Sequence, residues 1–122
     1  WKDSADVVLC DVPCSGLGII RKKPEIRFKN PDEIAELPEI QAKILANCAQ
    51  YVKKGGTLVY STCTILQREN EDVVRAFLAE NSDFEAVSWA HPVCGEREDG
   101  MVTLLPPVHD TDGFFIAKMV RK

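Results

Sequence analysis

Two of the five cysteines, Cys14 and Cys63, follow short apolar runs and are surrounded by residues suited to a binding site. Cys14 lies in DVPCSGLG, where Pro13 fixes the backbone before the thiol and the glycines allow close approach to a ligand. Cys63 lies in STCT, among small hydroxyl side chains. A thiolate is a strong nucleophile, and Asp11 supplies a carboxylate within the first motif. The combination indicates nucleophilic catalysis if the two stretches meet in one site.

Other uses of these residues receive less support from their spacing. A buried structural thiol is the common state of a free cysteine, and Asp11 is equally suited to a turn. A zinc site would draw on Cys10, Cys14, His91 and Cys94, but the C-x-x-C pairs typical of structural zinc are absent. The C-x-x-x-C spacing of Cys10 and Cys14 also differs from that of disulfide redox motifs. No metal is therefore expected.

The composition places the two motifs in one small globular domain. The chain has 122 residues, 45% of them hydrophobic and 28% charged, and a net charge of −4. These values exclude a disordered chain, and the net charge alone does not indicate nucleic-acid binding. No apolar stretch reaches the length of a membrane span, no secretory signal opens the sequence, and five cysteines cannot all pair. We therefore expect free thiols, a cytoplasmic location and no contact with a membrane.

A basic stretch follows the first cysteine motif. It contains Arg21, Lys22 and Lys23, with Arg27 and Lys29 a few residues further on. Runs of charge are most often solvated surface. Because this run comes directly after the thiol motif, contacts to phosphate groups are an equally good interpretation.

Hydrophobic periodicity predicts alternating strands and helices. A helix is expected to start at Asn30, where a capping residue precedes a proline and two acids, and Pro38 is expected to interrupt it. A second helix would then end at Lys53–Gly56, where cations precede glycines. The remaining predicted elements are strands at Asp6–Cys10, Thr57–Cys63, Phe84–Ser88, Met101–Leu105 and Phe114–Val120, and a helix at Asn70–Asn81.

This order of elements is typical of an α/β fold with a mainly parallel sheet. In open sheets of this kind, ligands bind beyond the carboxyl ends of the strands. Cys14 follows the carboxyl end of one predicted strand, and Cys63 lies at the carboxyl end of another. If the two strands are neighbours, both sulfurs face the same crevice.

The sequence resembles the Sun family of RNA cytosine-5 methyltransferases over nearly its whole length. The family pattern Asp-x-Pro-Cys-Ser-Gly-x-Gly is met in full. The stretches GGTLVYSTCT, NEDVV and DGFFIAKM match later signatures in the same order. The residues that carry the first match are Asp11, Pro13, Cys14, Ser15, Gly16 and Gly18; Gln41 and Leu45 match in the long helix.

The resemblance implies an S-adenosyl-L-methionine-dependent enzyme that methylates C5 of cytidine in RNA, and ribosomal RNA is the expected substrate. Cys63 would be the nucleophile, Cys14 would assist product release, and Asp11 would contact the cofactor. DNA cytosine methyltransferases use the Pro-Cys cysteine as nucleophile instead, so the presence of STCT favours the RNA pattern. The residues expected to contact RNA are Pro13, Arg21, Lys22 and Lys23.

The resemblance also implies that residues 1–122 form the C-terminal half of the catalytic domain. The fold would be a partial Rossmann-like methyltransferase fold with an antiparallel closing strand. The family's glycine-rich cofactor loop and N-terminal RNA-binding domain do not occur in this sequence. The expected partners are therefore RNA and the upstream half of the same protein, and this piece alone is expected to be inactive. The alternative is a catalytically inactive RNA-binding or ribosome-assembly module, against which the intact cysteine pair argues.

Overall fold

The computed structural model describes residues 2–15, 31–91, 95–97, 100–104 and 113–122. Within these ranges the chain forms two α-helices, a short 3₁₀-helix at Gln67–Glu69 and seven strands. In chain order these are β1 (Ala5–Asp11), α1 (Pro31–Ala49), β2 (Val52–Thr62), α2 (Glu71–Glu80), β3 (Phe84–Ala86), β4 (Trp89–His91), β5 (Gly95–Arg97), β6 (Met101–Leu104) and β7 (Phe114–Arg121).

Five of the strands form one sheet in which a single strand runs against the others. β1 pairs in parallel with β2, and β7 pairs antiparallel with the other edge of β2. β3 and β6 both pair antiparallel with the far edge of β7. Among the described residues, β1, β2, β3 and β6 therefore share one direction and β7 alone is reversed. This confirms the predicted α/β fold with a mainly parallel sheet and an antiparallel closing strand.

β3 and β6 lie end to end along the same edge of β7. β3 pairs with the carboxyl-terminal part of β7, from Met119 to Arg121, and β6 pairs with its first half, from Phe114 to Ala117. Between them the chain leaves the sheet as an antiparallel pair, β4 and β5. The sequence predicts β3 and β6 but not this pair, whose strands of three residues carry no readable alternation.

The prediction that a helix extends to Lys53–Gly56 is wrong. α1 ends at Ala49, and this segment belongs to β2, where the register with β1 is interrupted by a bulge. Gly55 has a φ of +82°, and a Cβ on Gly56 would lie 2.9 Å from a backbone carbonyl oxygen of its own strand. The two glycines therefore serve a strand bulge rather than a helix end, a use that sequence alone does not separate from capping.

The predicted helix break at Pro38 is also wrong, because Pro38 lies inside one continuous helix of 19 residues. Proline removes a single backbone donor at this point, and packing of the next turns on the sheet holds the helix together. The buried positions of that part of α1 are Gln41, Leu45 and Ala49, four residues apart, whereas Ile40 is 43% exposed. The helix thus presents a polar side chain to the interior beside its apolar stripe.

The core lies between the sheet and the two helices. α2 contributes Val73, Val74 and Phe77, as predicted for an amphipathic helix. Phe77 meets Phe84 edge to face with ring centroids 5.2 Å apart. Such pairing adds to the free energy gained from burying the rings and fixes α2 over β3. Within the described ranges, no helix has the length and apolar character needed to cross a membrane.

Candidate active site

The register between β1 and β2 brings the two cysteine motifs to one place. Asp11 at the end of β1 pairs with Ser61 of β2, so the two strands leave the sheet side by side. Cys14 and Cys63 follow directly, and their sulfur atoms lie 3.0 Å apart. The backbone N–H of Cys63 also donates to the sulfur of Cys14 over 3.3 Å. Both thiols are partly exposed, which leaves them accessible to a ligand.

A cleft of about 330 Å³ opens beside the sulfur pair. One wall is formed by Asp11, the end of β2 and Cys63 directly after it, and the other by Leu104 and the start of β7 (Phe114–Ile116). Its volume is within the range of small-molecule sites, roughly 300–1,000 Å³. Cys63 forms part of the wall, whereas Cys14 is not among the lining residues and contacts the Cys63 sulfur. The two thiols therefore have different access to a molecule in the cleft.

Asp11 is the acidic residue of the cleft wall. Its side chain is exposed, and Ser61 donates a hydrogen bond of 3.2 Å to its carboxylate. The free oxygen positions of an exposed carboxylate are suited to amine or hydroxyl donors of a ligand. Asp11 thus fits the cofactor contact that the resemblance implies, since S-adenosyl-L-methionine carries both kinds of donor.

A buried carboxylate, which sequence reasoning missed, lies behind the cysteine loops. The side chain of Glu69 is fully buried and accepts hydrogen bonds at both oxygens. Oε1 accepts the backbone N–H of Ser15 at 2.8 Å and the side-chain amide of Gln41 at 3.0 Å. Oε2 accepts the hydroxyl of Ser15 at 2.7 Å and that of Thr64 at 3.2 Å. We call these four residues, Ser15, Gln41, Thr64 and Glu69, the Glu69 cluster.

Further hydrogen bonds fasten the Glu69 cluster to the surrounding elements. The amide of Gln41 also donates to the carbonyl of Pro13 at 2.9 Å, next to Cys14. The Tyr60 hydroxyl donates to the carbonyl of Glu69 at 2.6 Å, and burial raises the pKa of that hydroxyl, so it remains a donor. Asn70 donates to the carbonyl of Thr64 at 2.9 Å. Ser15, Thr64 and Glu69 lie outside the α-helices and strands, so hydrophobic periodicity in the sequence does not mark this network.

The remaining predicted site residues are placed as follows. Pro13 is exposed beside the cysteine pair and offers its carbonyl to α1. Arg21, Lys22 and Lys23 lie outside the described residues. In the part of the chain that the structure describes, no three His, Cys, Asp or Glu side chains are grouped so that they could hold a metal ion.

Cys10 and Cys48 form a second pair of neighbouring thiols, away from the cleft. Cys10 points from β1 into the core and is 2% exposed. Burial, assisted by the adjacent Cys48 thiol, raises the pKa of Cys10 to about 12. A thiol with so high a pKa stays neutral near pH 7 and is a poor nucleophile.

The parallel strands, the reversed β7 and the cleft at the strand ends define a Rossmann-like methyltransferase fold. The family described as "16S rRNA methyltransferase RsmB/F" matches residues 2–120. The chain therefore belongs to the RsmB/F family, which confirms the resemblance to the Sun methyltransferases.

Relatives and solved structures agree with this assignment. The chain is 47% identical over 123 residues to a probable ribosomal RNA small subunit methyltransferase B from Bacillus subtilis, covering 96% of this chain and 28% of the relative. It superimposes on a methyltransferase homologue from Pyrococcus horikoshii with a TM-score of 0.77 and 31% identity, covering 98% of this chain and 40% of the other. NSun6 from the same organism, in a crystal structure with SFG, gives a TM-score of 0.82 and 27% identity over 97% of this chain and 30% of NSun6. The chain thus spans little more than a quarter of the length of the Bacillus relative.

Proposed function

We propose that this chain forms the C-terminal half of the catalytic domain of an S-adenosyl-L-methionine-dependent RNA methyltransferase. The reaction would be methylation of cytidine C5, with ribosomal RNA as substrate, through a covalent bond between Cys63 and C6 of the base. The observation that carries the proposal is the pair of thiols 3.0 Å apart, one of which lines a cleft at the carboxyl ends of β1 and β2. The names of the relatives support ribosomal RNA as the substrate class.

Cys63 is the nucleophile in this proposal because it forms part of the cleft wall. C5 of cytosine does not attack a methyl group unaided. Addition of the Cys63 thiolate to C6 forms a C–S bond and places an electron pair at C5. That pair would bond to the methyl carbon while the bond from this carbon to the cofactor's sulfonium sulfur breaks, which leaves a neutral thioether. The base must leave its stack to reach the sulfur.

In this proposal Cys14 first donates a hydrogen bond to Cys63 and later accepts the C5 proton. While Cys63 is a thiolate, the thiol of Cys14 donates to it across the 3.0 Å contact. Once Cys63 is bound to C6 its charge is lost, so a negative neighbour no longer opposes ionisation of Cys14, which releases its proton to solvent. The Cys63 N–H then stabilises the Cys14 thiolate. That thiolate accepts the C5 proton, the C5–H electrons restore the double bond, and the C6–S electrons return to Cys63.

S-adenosyl-L-methionine supplies the transferred methyl group, and Asp11 is the residue of this chain that would hold it. The exposed carboxylate of Asp11 would accept hydrogen bonds from the cofactor or from the base at the cleft wall. The glycine-rich loop that holds most of the cofactor would come from the upstream half of the protein. Arg21, Lys22 and Lys23 would contact RNA phosphates, and Pro13 would also contact the RNA.

The thiols of the site must stay reduced in order to react, and we propose the cytoplasm as the reducing compartment. We also propose that the 122-residue piece binds S-adenosyl-L-methionine weakly or not at all by itself. Isothermal titration calorimetry compares the isolated piece with the full-length protein. Micromolar affinity of the isolated piece would overturn this part of the proposal.

The test of the function is trapping of the covalent intermediate in the full-length protein. Wild type, Cys63→Ala, Cys14→Ala and the control Cys48→Ala are incubated with small-subunit ribosomal RNA and S-adenosyl-L-methionine. Denaturing gels then detect protein bound covalently to RNA. We expect the adduct to accumulate in Cys14→Ala, because elimination is slowed, and to be absent in Cys63→Ala.

Two results would contradict the assignment. An adduct that requires Cys14 and not Cys63 would exchange the two roles. Salt-dependent RNA binding without adduct or methyl transfer in wild type, on RNA methylated by a relative, would favour a non-catalytic RNA-binding module.

A further inference from the structure

The Glu69 cluster joins the two cysteine loops one residue beyond each sulfur. Ser15 follows Cys14 in the chain, Thr64 follows Cys63, and both bond to the same carboxylate of Glu69. The hydroxyls of Ser15 and Thr64 also lie 2.8 Å from each other. We propose that Glu69 is a positioning residue that holds the two thiols in contact.

Burial makes this carboxylate unsuited to any direct chemical role. Glu69 is fully buried, and the residues that form the cleft walls do not include it. A buried carboxylate is costly unless hydrogen bonds compensate for the lost water. Four donors do so here, and two of them come from the cysteine loops themselves. The free energy that keeps the carboxylate buried therefore depends on both loops being in place.

The types of donor define which changes the cluster tolerates. Oε1 faces two N–H groups, from Ser15 and Gln41, which can only donate. Oε2 faces two hydroxyls, which donate or accept after rotation. Glutamine at position 69 keeps an acceptor for the N–H groups and presents an amide to the hydroxyls. Alanine removes every acceptor and leaves buried donors unpaired, so the loop of Cys14 loses its attachment to the loop of Cys63.

The sulfur contact itself provides a readout that a general loss of stability would not mimic. When diamide oxidises two adjacent thiols, both S–H bonds are lost and one S–S bond forms. The two protons and two electrons reduce the N=N bond of diamide to a hydrazine. The rate of this reaction between Cys14 and Cys63 depends on how often the sulfurs meet, and it is independent of which base is methylated.

The experiment uses full-length protein, diamide and mass spectrometry of the Cys14–Cys63 disulfide. The variants are Glu69→Ala and Glu69→Gln, with Glu80→Ala at the exposed end of α2 as the matched control. All rates are measured well below the midpoint of thermal unfolding of each variant. We expect about a tenfold or greater loss of rate in Glu69→Ala, recovery towards wild type in Glu69→Gln, and no change in Glu80→Ala.

Thr64→Val keeps the experiment decisive if Glu69→Ala does not fold. Valine preserves the shape of Thr64 and removes only its hydroxyl, and Thr57→Val in β2 is its control. A slower disulfide rate in Thr64→Val, with an unchanged Thr57→Val, supports the proposal. Wild-type rates in every folded variant at position 64 or 69 would overturn it.

Methyl transfer adds a second readout, which rests on the proposed function. Misplaced sulfurs lower kcat, while KM for RNA stays near the wild-type value because Glu69 does not touch the substrate. A raised KM with unchanged kcat in Glu69→Gln would contradict positioning. If the adduct experiment fails but the disulfide rates respond, the proposed chemistry is wrong and the positioning role stands.

Discussion

Among the described residues, two pairs of neighbouring thiols differ in their burial and in their surroundings. Cys14 and Cys63 are partly exposed, lie 3.0 Å apart and adjoin a cleft with a carboxylate in its wall. Cys10 is buried in the core beside Cys48, where burial raises the pKa of Cys10 to about 12. Only three residues lie between Cys10 and Cys14 along the chain.

The difference arises from where the strand ends. Cys10 is inside β1 and its side chain packs on the core, where a thiol acts as a small apolar group. Cys14 follows the end of β1, where the chain has left the sheet and the site is polar. The comparison teaches that position relative to the sheet edge, and not the cysteine itself, determines which thiols can react. Four measurements test it, beginning with the largest expected effect.

Loss of the cleft thiol is expected to abolish turnover, whereas loss of a core-side thiol is not. Cys63→Ala removes the nucleophile and should lower kcat for methyl transfer by about 10⁴-fold or more. Cys48→Ala is the matched control and should retain activity. Initial rates of the full-length enzyme with radiolabelled cofactor decide this. Substantial activity in Cys63→Ala would remove the chemical distinction between the pairs.

Alkylation should distinguish the pairs without any assay of function. At pH 8 a thiol with a pKa of about 12 is almost entirely neutral, since burial favours the uncharged form. Iodoacetamide should therefore modify Cys10 more slowly than the partly exposed Cys63, and about a thousandfold more slowly than a cysteine of ordinary pKa, because each unit between 9.0 and about 12 removes a factor of ten in thiolate. The rate at Cys10 should rise with pH up to about 12. Mass spectrometry of quenched samples measures both, and equal rates at pH 8 would contradict the comparison.

The two thiols of the reactive pair should themselves be unequal. Cys14→Ala leaves the nucleophile intact and should lower turnover by about 10²-fold, the usual contribution of a proton-transfer group. The smaller loss should be accompanied by slow release of product in single-turnover experiments. A loss as large as that in Cys63→Ala, without a persistent adduct, would indicate that the thiols act as one unit.

Substitutions in the second pair, Cys10 and Cys48, should lower the stability of the protein rather than its activity. Cys10→Ser places a hydroxyl among apolar side chains and should cost about 1–3 kcal/mol, whereas Cys48→Ser, at a partly exposed position, should cost less. Differential scanning fluorimetry of the full-length protein ranks the two variants. A lower melting temperature for Cys48→Ser than for Cys10→Ser would reverse the assignment of core and periphery.

Much of this architecture is readable from the sequence because its signals are local. The valine-rich run that forms β1, the periodicity of α2 and the final strand β7 each specify their own structure. The expectation that the two cysteine motifs meet rests on their positions at the ends of two predicted strands. The relation of Glu69 to Ser15 is not local, since the residues lie 54 positions apart and meet only after both loops fold. The burial of Gln41 could not be predicted either, because it depends on which residues pack against that face of α1.

The bulge at Gly55 and Gly56 has a consequence at the opposite end of the strand. The register passes from Ala5–Val52 to Val7–Thr57 at the bulge and then continues without interruption to Asp11–Ser61. A strand advances about 3.3 Å per residue, so a slip of one position there would displace Cys63 from Cys14 by about the length of their present contact. The position of the bulge therefore sets the register of the rest of β2 against β1. Two residues without a reactive atom, about 25 Å from the thiols along the chain of β2, thus determine where the sulfurs meet.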